Sequence, residues 1–386
     1  MMKEKGKNKF ENILRELDEF KKKDFSFSSG KIIGSMCTQP HNISIKGYKK
    51  FLDTNLGDPE LFPGTNEIEI NLKKFVLNLL NAPKSAQGII VSGGTEGNIT
   101  AMWLAKKLSN KNEIILSESA HFSFNKIASL MDMKINTIPL TKNYIIDTKK
   151  VKKKINENTA AIIGIAGSTE LGTIDPIPEL SDICFDENIF LHVDAAFGGF
   201  VIPFLNDSNS SKINFDFKLK GVSSISIDYH KMGYSAIPLG ILAIRKKNWI
   251  NKISVESHCI HSEKQIGILG TRSGGPVAGA YAVTKFFGKE GYSKLIKDRM
   301  DLTRYIESEL INIGLKPIIK PQMNVIGIKI KNIDNVYKKL SELGWKVNKI
   351  NRLSCLRIVV MPHITKKSID KFIPILKKVC IEVEEI

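Results

Sequence analysis

Ile189-Phe190-Leu191-His192-Val193-Asp194-Ala195-Ala196 is an apolar run that ends on a carboxylate followed by two small residues. Its β-branched and aromatic content marks a strand. With so little polar alternation, that strand is expected to be buried on both faces, as in a parallel sheet. Working outward, runs of the same character stand at Gly88–Val91, Glu113–Leu116, Ala160–Ile165, Ser224–Ile227 and Ile241–Ile244, and helical stretches separate them between about residues 67 and 285. That alternation is the signature of an α/β fold, a mostly parallel sheet with helices on both faces.

Beyond about residue 290 the pattern changes to a small α+β unit. A helix (Ser293–Ile313), strands at Asn324–Lys329 and Leu356–Val360, and helices at Val336–Leu343 and Lys366–Cys380 are expected there. At the other end, Phe10, Ile13, Leu14, Leu17 and Phe20 recur at helical spacing, so the first 24 residues read as an amphipathic arm lying on another surface. The expected division is an N-terminal arm (1–60), a large domain (61–290) and a small C-terminal domain (291–386), with the boundary near Gly288 to Gly291. A chain of 386 residues is long enough for such a division, and the cleft it leaves suits a small ligand.

Hydrophobic residues make up 42% and charged residues 25%, the proportions of a soluble globular protein. A net charge of +17 raises the question of a polyanionic partner. The lysine runs at 21–23 and 152–154 lie in amphipathic stretches with no interleaved aromatics, so they read as solvated faces and no nucleic acid is expected. Five cysteines, Cys37, Cys184, Cys259, Cys355 and Cys380, are far apart and never form a C-x-x-C pair, so no metal cluster is expected. With no signal peptide and no run able to span a bilayer, the expected place is the cytoplasm, with free thiols and no membrane.

Three segments carry chemistry. Ser92-Gly93-Gly94-Thr95-Glu96-Gly97-Asn98 lies between an apolar strand and a helix expected to begin near Ile99. It reads either as a tight turn or as an anion cradle, because glycines let backbone approach a phosphate and a helix start turns its amides toward it. Asp194 at a buried strand end either caps the next segment or holds a buried cation such as a protonated ring nitrogen, and Ala195 and Ala196 leave room for a flat ring. His192 is read as a core histidine on the opposite pleat face. In Ser226-Ile227-Asp228-Tyr229-His230-Lys231, a lysine at a strand end is costly to desolvate unless it is used, and desolvation is expected to lower its pKa until the neutral amine can attack an aldehyde.

These segments, in this order, with Ala120-His121-Phe122-Ser123 between the first two, resemble the fold type I pyridoxal-phosphate (PLP) enzymes and, within them, the group II decarboxylases. The fit is closest to the archaeal L-tyrosine/L-aspartate decarboxylases, through Gly34-Ser35-Met36-Cys37, Asn55-Leu56-Gly57-Asp58-Pro59, Gly270-Thr271-Arg272 and Leu356-Arg357-Ile358-Val359-Val360-Met361-Pro362-His363. The resemblance covers nearly all of the chain after about residue 30 and implies amino-acid decarboxylation, yielding tyramine for methanofuran or β-alanine for coenzyme A. It implies that Lys231 carries pyridoxal 5'-phosphate as a Schiff base, that His121 stacks on the ring and that Asp194 pairs with its nitrogen. Gly93, Gly94, Thr95, Asn98, Ala196, Asp228 and His230 would surround the cofactor, Ser168 or Thr169 would reach its phenolic oxygen, and Thr271 would reach the phosphate of a neighbouring subunit. That last role implies a homodimer with its active site at the subunit interface.

Arg357 is the candidate for the substrate carboxylate, because a guanidinium grips it in two places, and His41 lies at the expected entrance. Family members often place a proton-donating tyrosine on the loop after the lysine. Here residues 251–270 offer His258, Cys259 and His261 instead, so His258, Tyr229 and Tyr234 are the candidate donors. Two other readings stand beside this one: a PLP-dependent carbon-carbon lyase, and a non-catalytic basic binding protein on the same fold.

Overall fold

A computed structural model describes residues 2–205, 212–256 and 264–386. Three helices come first, α1 (Met2–Lys22), α2 (Asn42–Lys50) and α3 (Pro63–Leu79). The large sheet consists of β1 (Gln87–Val91), β2 (Glu113–Ser117), β3 (Lys134–Ile138), β4 (Thr159–Ile165), β5 (Phe190–Asp194), β6 (Val222–Asp228) and β7 (Gly240–Ile244). Between its strands lie α4 (Gly94–Ser109), α5 (Ser123–Met131), α6 (Thr148–Lys154), α7 (Ile177–Asp186) and α8 (Ile202–Leu205). The strand order is β1-β7-β6-β5-β4-β2-β3. Pairings from β6 across to β3 are parallel, whereas β7 runs antiparallel to both β1 and β6.

Every residue of β4, β5 and β6 is buried, as the apolar run at 189–196 requires. Pleating sends alternate residues to opposite faces, and each face has its own core. Ile114, Ala161 and Ile163 pack with Ala101 and Met102 of α4, while the intervening Ile115 and Ile162 pack with Leu72 of α3 and Leu180 of α7. Each such aliphatic side chain contributes roughly 1.5–3 kcal/mol on burial. Truncating Leu191, fully buried on β5, to Ala is expected to cost about 2–5 kcal/mol.

A hairpin of β8 (Ser254–Glu256) and β9 (Lys264–Ile266) leads to α9 (Gly274–Asn312), which is bent at Gly288 (φ 56, ψ −167) where the sequence reading placed a boundary. Next come β10 (Val325–Lys329), α10 (Ile333–Glu342), β11 (Asn348–Ile350), β12 (Cys355–Val359) and α11 (Lys366–Glu382). The three strands form an antiparallel sheet in the order β10-β12-β11, with a separate apolar core shared with both helices. Ile33 enters that core, and Lys346 O accepts the N–H groups of Ile33 and Gly34 at 2.9 and 3.0 Å, so the segment before α2 packs with this sheet.

The amphipathic helix expected at the N-terminus is present as α1, but Phe10, Ile13, Leu14, Leu17 and Phe20 are all exposed, so among the described residues no surface covers its apolar stripe. Among the described residues no helix is long and apolar enough to cross a membrane. Cys37, Cys184, Cys355 and Cys380 are free thiols, and Cys259 lies outside the described residues.

Candidate active site

The carboxyl ends of β4, β5 and β6 and the start of α4 enclose a cavity of about 360 Å³. This is where ligands bind in open α/β sheets. Gly93, Gly94, Thr95, Asn98, His121, Thr169, Asp194, Ala196, Asp228, His230 and Lys231, all named from the sequence, line it. So do Ser119, Ile165, Gly167, Phe197 and Ile237, none of which was expected at the site. The signal for Ile165 and Gly167 was their position at a parallel strand's end.

The helix α4 begins at Gly94, earlier than expected, with Gly93 as its cap. Gly93 has φ 152, and a Cβ there would stand 2.9 Å from Cε1 of His230; one on Gly94 would stand 3.0 Å from Cβ of Ala196 and 3.3 Å from Oδ2 of Asp228. Among the described residues no side chain caps this helix, so its first amides are open toward the cavity that Gly94 and Thr95 line. The nearby Glu96 carboxylate turns back instead to accept the Ser92 N–H at 2.7 Å.

Asp194 is buried yet faces the cavity, held by Asn98 Nδ2 (2.9 Å to Oδ2) and the Ala196 N–H (3.1 Å to Oδ1). His192 is fully buried, with both ring nitrogens bonded, to Ser224 and to Asn98. Its expected orientation is corrected: residues 192 and 194 are two apart, so they share one pleat face. Burial pushes the His192 imidazole down to about 4, leaving it neutral.

Lys231 stands in the tight turn after β6. Tyr229, fully buried against Phe200, anchors the turn, and Gly233 closes it so tightly that a Cβ would lie 2.6 Å from Tyr229 O. The Lys231 ammonium lies 3.0 Å from Asp228 Oδ2, while Asp228 Oδ1 is buried with no partner among the described residues. The expectation of a lowered lysine pKa is overturned here. Burial is the largest single influence and lowers it, but Asp228 and Asp194 together outweigh it and the net shift is upward. Lys231 rests charged, and its proton has to be removed before the amine can act as a nucleophile.

Burial lowers the His121 pKa, and its Nδ1 accepts the Ser123 N–H at 3.3 Å, which leaves the other edge of a neutral ring on the cavity side. His230 Nδ1 donates to Leu239 O at 2.9 Å, and its Nε2 lies 3.7 Å from Asp228 Oδ2. Of the two alternatives in the next loop, Thr169 lines the cavity. The Ser168 hydroxyl is taken up by its own turn, 2.8 Å from Thr173 Oγ1 and accepting the Thr173 N–H at 3.1 Å.

Arg357, on β12, stands behind that loop. It is buried and donates from Nη1 to Thr169 O (2.6 Å) and from Nη2 to Gly34 O (2.9 Å), with Nε unpartnered among the described residues. Burial pushes its pKa down to about 10. His41 caps α2 and packs against Tyr234, Phe286 and Phe287 in a neighbouring cleft, and Thr271 is exposed on the surface. Neither Tyr229 nor Tyr234 lines the cavity, and the candidates His258, Cys259 and His261 lie outside the described residues.

A flat ring bearing a phosphate, a basic nitrogen and an aldehyde fits this donor set. The uncapped glycine floor would be filled by any Cβ, a buried carboxylate faces inward, and the amine lies in the same cavity. Residues 52–328 match the model of the pyridoxal-dependent decarboxylase conserved domain, and the chain belongs to that family. It is an enzyme that decarboxylates an amino acid with pyridoxal phosphate.

The chain is 44% identical to a probable L-tyrosine/L-aspartate decarboxylase of Methanosphaera stadtmanae, over 96% of this chain and 97% of that one. It is 43% identical to an L-aspartate/L-glutamate decarboxylase of Pyrococcus horikoshii, with the same coverage of 96% and 97%. Among solved structures it superposes on a sphingosine-1-phosphate lyase of Burkholderia pseudomallei with a TM-score of 0.88 and 26% identity, over 97% of this chain and 90% of that one. A glutamate decarboxylase of Lactobacillus brevis shares the fold at a TM-score of 0.87 and 22% identity, over 96% and 93%. The non-catalytic reading is thereby set aside, and of the two enzyme readings the family match and the relatives above 40% identity are decarboxylases.

Proposed function

We propose that the protein converts L-aspartate to β-alanine and accepts L-tyrosine as a second substrate, giving tyramine. The observation that carries this reading is the sharing of one cavity by Lys231 and Asp194 in a chain whose relatives, the Methanosphaera and Pyrococcus proteins alike, name L-aspartate. When bound, pyridoxal phosphate supplies the electron sink that accepts the pair left as carbon dioxide departs.

In this reading the open amides of Gly94 and Thr95 hold the phosphate, His121 lies against the ring, Asp194 keeps its nitrogen protonated, and Lys231 is the covalent anchor through Nζ. Asp228 takes part by holding and releasing the Lys231 ammonium. Thr169 stands toward the phenolic oxygen. Arg357, which is bonded to the backbone of the cavity-lining Thr169 and has Nε unpartnered among the described residues, would have to leave Thr169 O and Gly34 O to grip the substrate carboxylate.

A homodimer completes the site. The uncovered apolar stripe of α1, together with exposed Leu61, Ile268 and Leu269 near Thr271, supports such an interface, across which Thr271 reaches the partner's phosphate and His41 lines the entrance. The three-part division at residues 60 and 290 and a cytoplasmic location belong to the same reading.

Incubating the purified protein with pyridoxal phosphate and, separately, L-aspartate, L-tyrosine and L-glutamate, then identifying the amine released, tests it. β-Alanine is expected as the main product. Release of γ-aminobutyrate alone would overturn the substrate assignment.

A further inference from the structure

The polar groups behind Asp194 form a chain with a fixed direction. Asp194 and His192 face one side of β5, and their register partners on β6 are Ser226 and Ser224. Asn98, on α4, bonds Asp194, His192 and Ser226, and Ser224 bonds His192. Each of the five is at least nine-tenths buried, so an unmade hydrogen bond at any of them costs roughly 1–3 kcal/mol.

The proton positions follow from chemistry. A carboxylate only accepts, so the Asn98 group 2.9 Å from Asp194 Oδ2 is the amide NH₂, which also lies 3.1 Å from Ser123 Oγ. The amide oxygen therefore faces the other way, where it accepts from Ser226 Oγ at 2.9 Å. It also lies 2.9 Å from His192 Nε2, so that nitrogen must carry a hydrogen. A neutral ring with its proton on Nε2 accepts at Nδ1, and the Ser224 hydroxyl lies 2.8 Å away to donate there. Turning the Asn98 amide over would set its oxygen against the carboxylate, and His192 could follow only by moving its proton to Nδ1, with the Ser224 hydroxyl turning to accept there.

We infer that His192 is a positioning residue for the reaction: through its Nε2–H it locks the Asn98 amide in the one orientation that donates to Asp194, and so fixes the carboxylate that faces the cofactor's ring nitrogen. His192 touches neither substrate nor cofactor, and it acts only through Asn98. The inference rests on the role of Asp194 proposed above.

The test uses two substitutions that differ in which ring nitrogen they imitate. His192→Gln keeps an amide donor near the place of Nε2, whereas His192→Asn keeps a polar group near Nδ1 and withdraws that donor. The readouts are the dissociation constant for pyridoxal phosphate by equilibrium dialysis, the thermal midpoint, and kcat and KM for the best substrate. By analogy with outer-shell partners of other cofactors, His192→Asn is expected to weaken cofactor binding and lower kcat by about tenfold each, with KM little changed, and His192→Gln to restore most of both.

Equal losses in the two variants, or a His192→Asn protein that differs from the parent only in thermal midpoint, would overturn the inference. Should His192→Asn not fold, Ser224→Ala removes the hydroxyl that serves Nδ1 and is expected to weaken cofactor binding in the same direction, by about threefold, so an unchanged dissociation constant there also overturns it. Asp194→Asn separates the two readings. If it retains full kcat, the role of Asp194 itself fails; if it is inactive while His192→Asn is normal, only the positioning role fails.

Discussion

Two carboxylates close the ends of neighbouring strands, and they are held in opposite ways. Asp194, on β5, is gripped by neutral donors, the Asn98 amide and the Ala196 N–H, with a further layer of buried hydrogen bonds behind them. Asp228, on β6, is held at one oxygen by the Lys231 ammonium and has no described partner at the other. Neutral clamps fix a carboxylate without cancelling its charge, which suits a group that must face a cation throughout a reaction cycle. In the proposed function the clamp on Asp228 is itself the reactive amine and has to let go, and an oxygen with no described partner gives Asp228 somewhere to turn when it does.

Removing the Lys231 ammonium from Asp228 is expected to have the largest effect. Lys231→Ala is expected to abolish turnover and the visible absorbance of the bound cofactor, measured on the purified protein. Asp194→Asn keeps the shape and removes the charge; kcat should fall on the order of 10²–10³-fold, while the clamp residues and the thermal midpoint stay close to the parent's.

Asp228→Asn tests the releasing clamp. Since Asp228 is the first of the groups that raise the Lys231 pKa against burial, its loss should lower that pKa. Cofactor capture, followed by absorbance as pH is varied, should then begin at lower pH than in the parent, and an unmoved profile would mean that Asp228 is not the group holding the proton.

The smallest effect on activity is expected at a third carboxylate, far from the cavity. Glu113 is clamped by Asn136 and Asn156 amides at 2.7 and 2.8 Å and by Lys134 at 2.9 Å. The Asn156 amide, then Lys134 and Asn136, hold its pKa down from 4.5 to about 2. A pKa depressed on folding stabilises the native state above the unfolded value, and that stability is lost as pH falls through the folded one. Glu113→Gln should therefore leave kcat within about twofold of the parent. It should also flatten the decline of the urea midpoint between about pH 4.5 and 2.

The sequence made the central strands legible because they are buried on both faces and so read as unbroken apolar runs. It hid β3, β8, β9 and β11. The first is an edge strand with Lys134 and Thr137 exposed, and the other three are three residues long, so none carries a periodic pattern. The antiparallel insertion of β7 between β1 and β6 was equally invisible, since two buried strands look alike whichever way they run.

At the cavity, the residues of the three motifs were legible because they follow strand ends directly. What could not be read was the sum of opposing influences on Lys231, since burial and two nearby carboxylates have no signature along the chain. The hydrogen bonds of Arg357 to Thr169 and Gly34 join segments far apart in sequence, and no local pattern announces them.

The shared pleat of His192 and Asp194 also limits how the chain can vary. A single residue inserted within the five positions of β5 would swing one of the pair to the far side of the sheet and bring an aliphatic side chain to the cavity in its place. An insertion between these two residues of the strand is therefore expected to disable the protein.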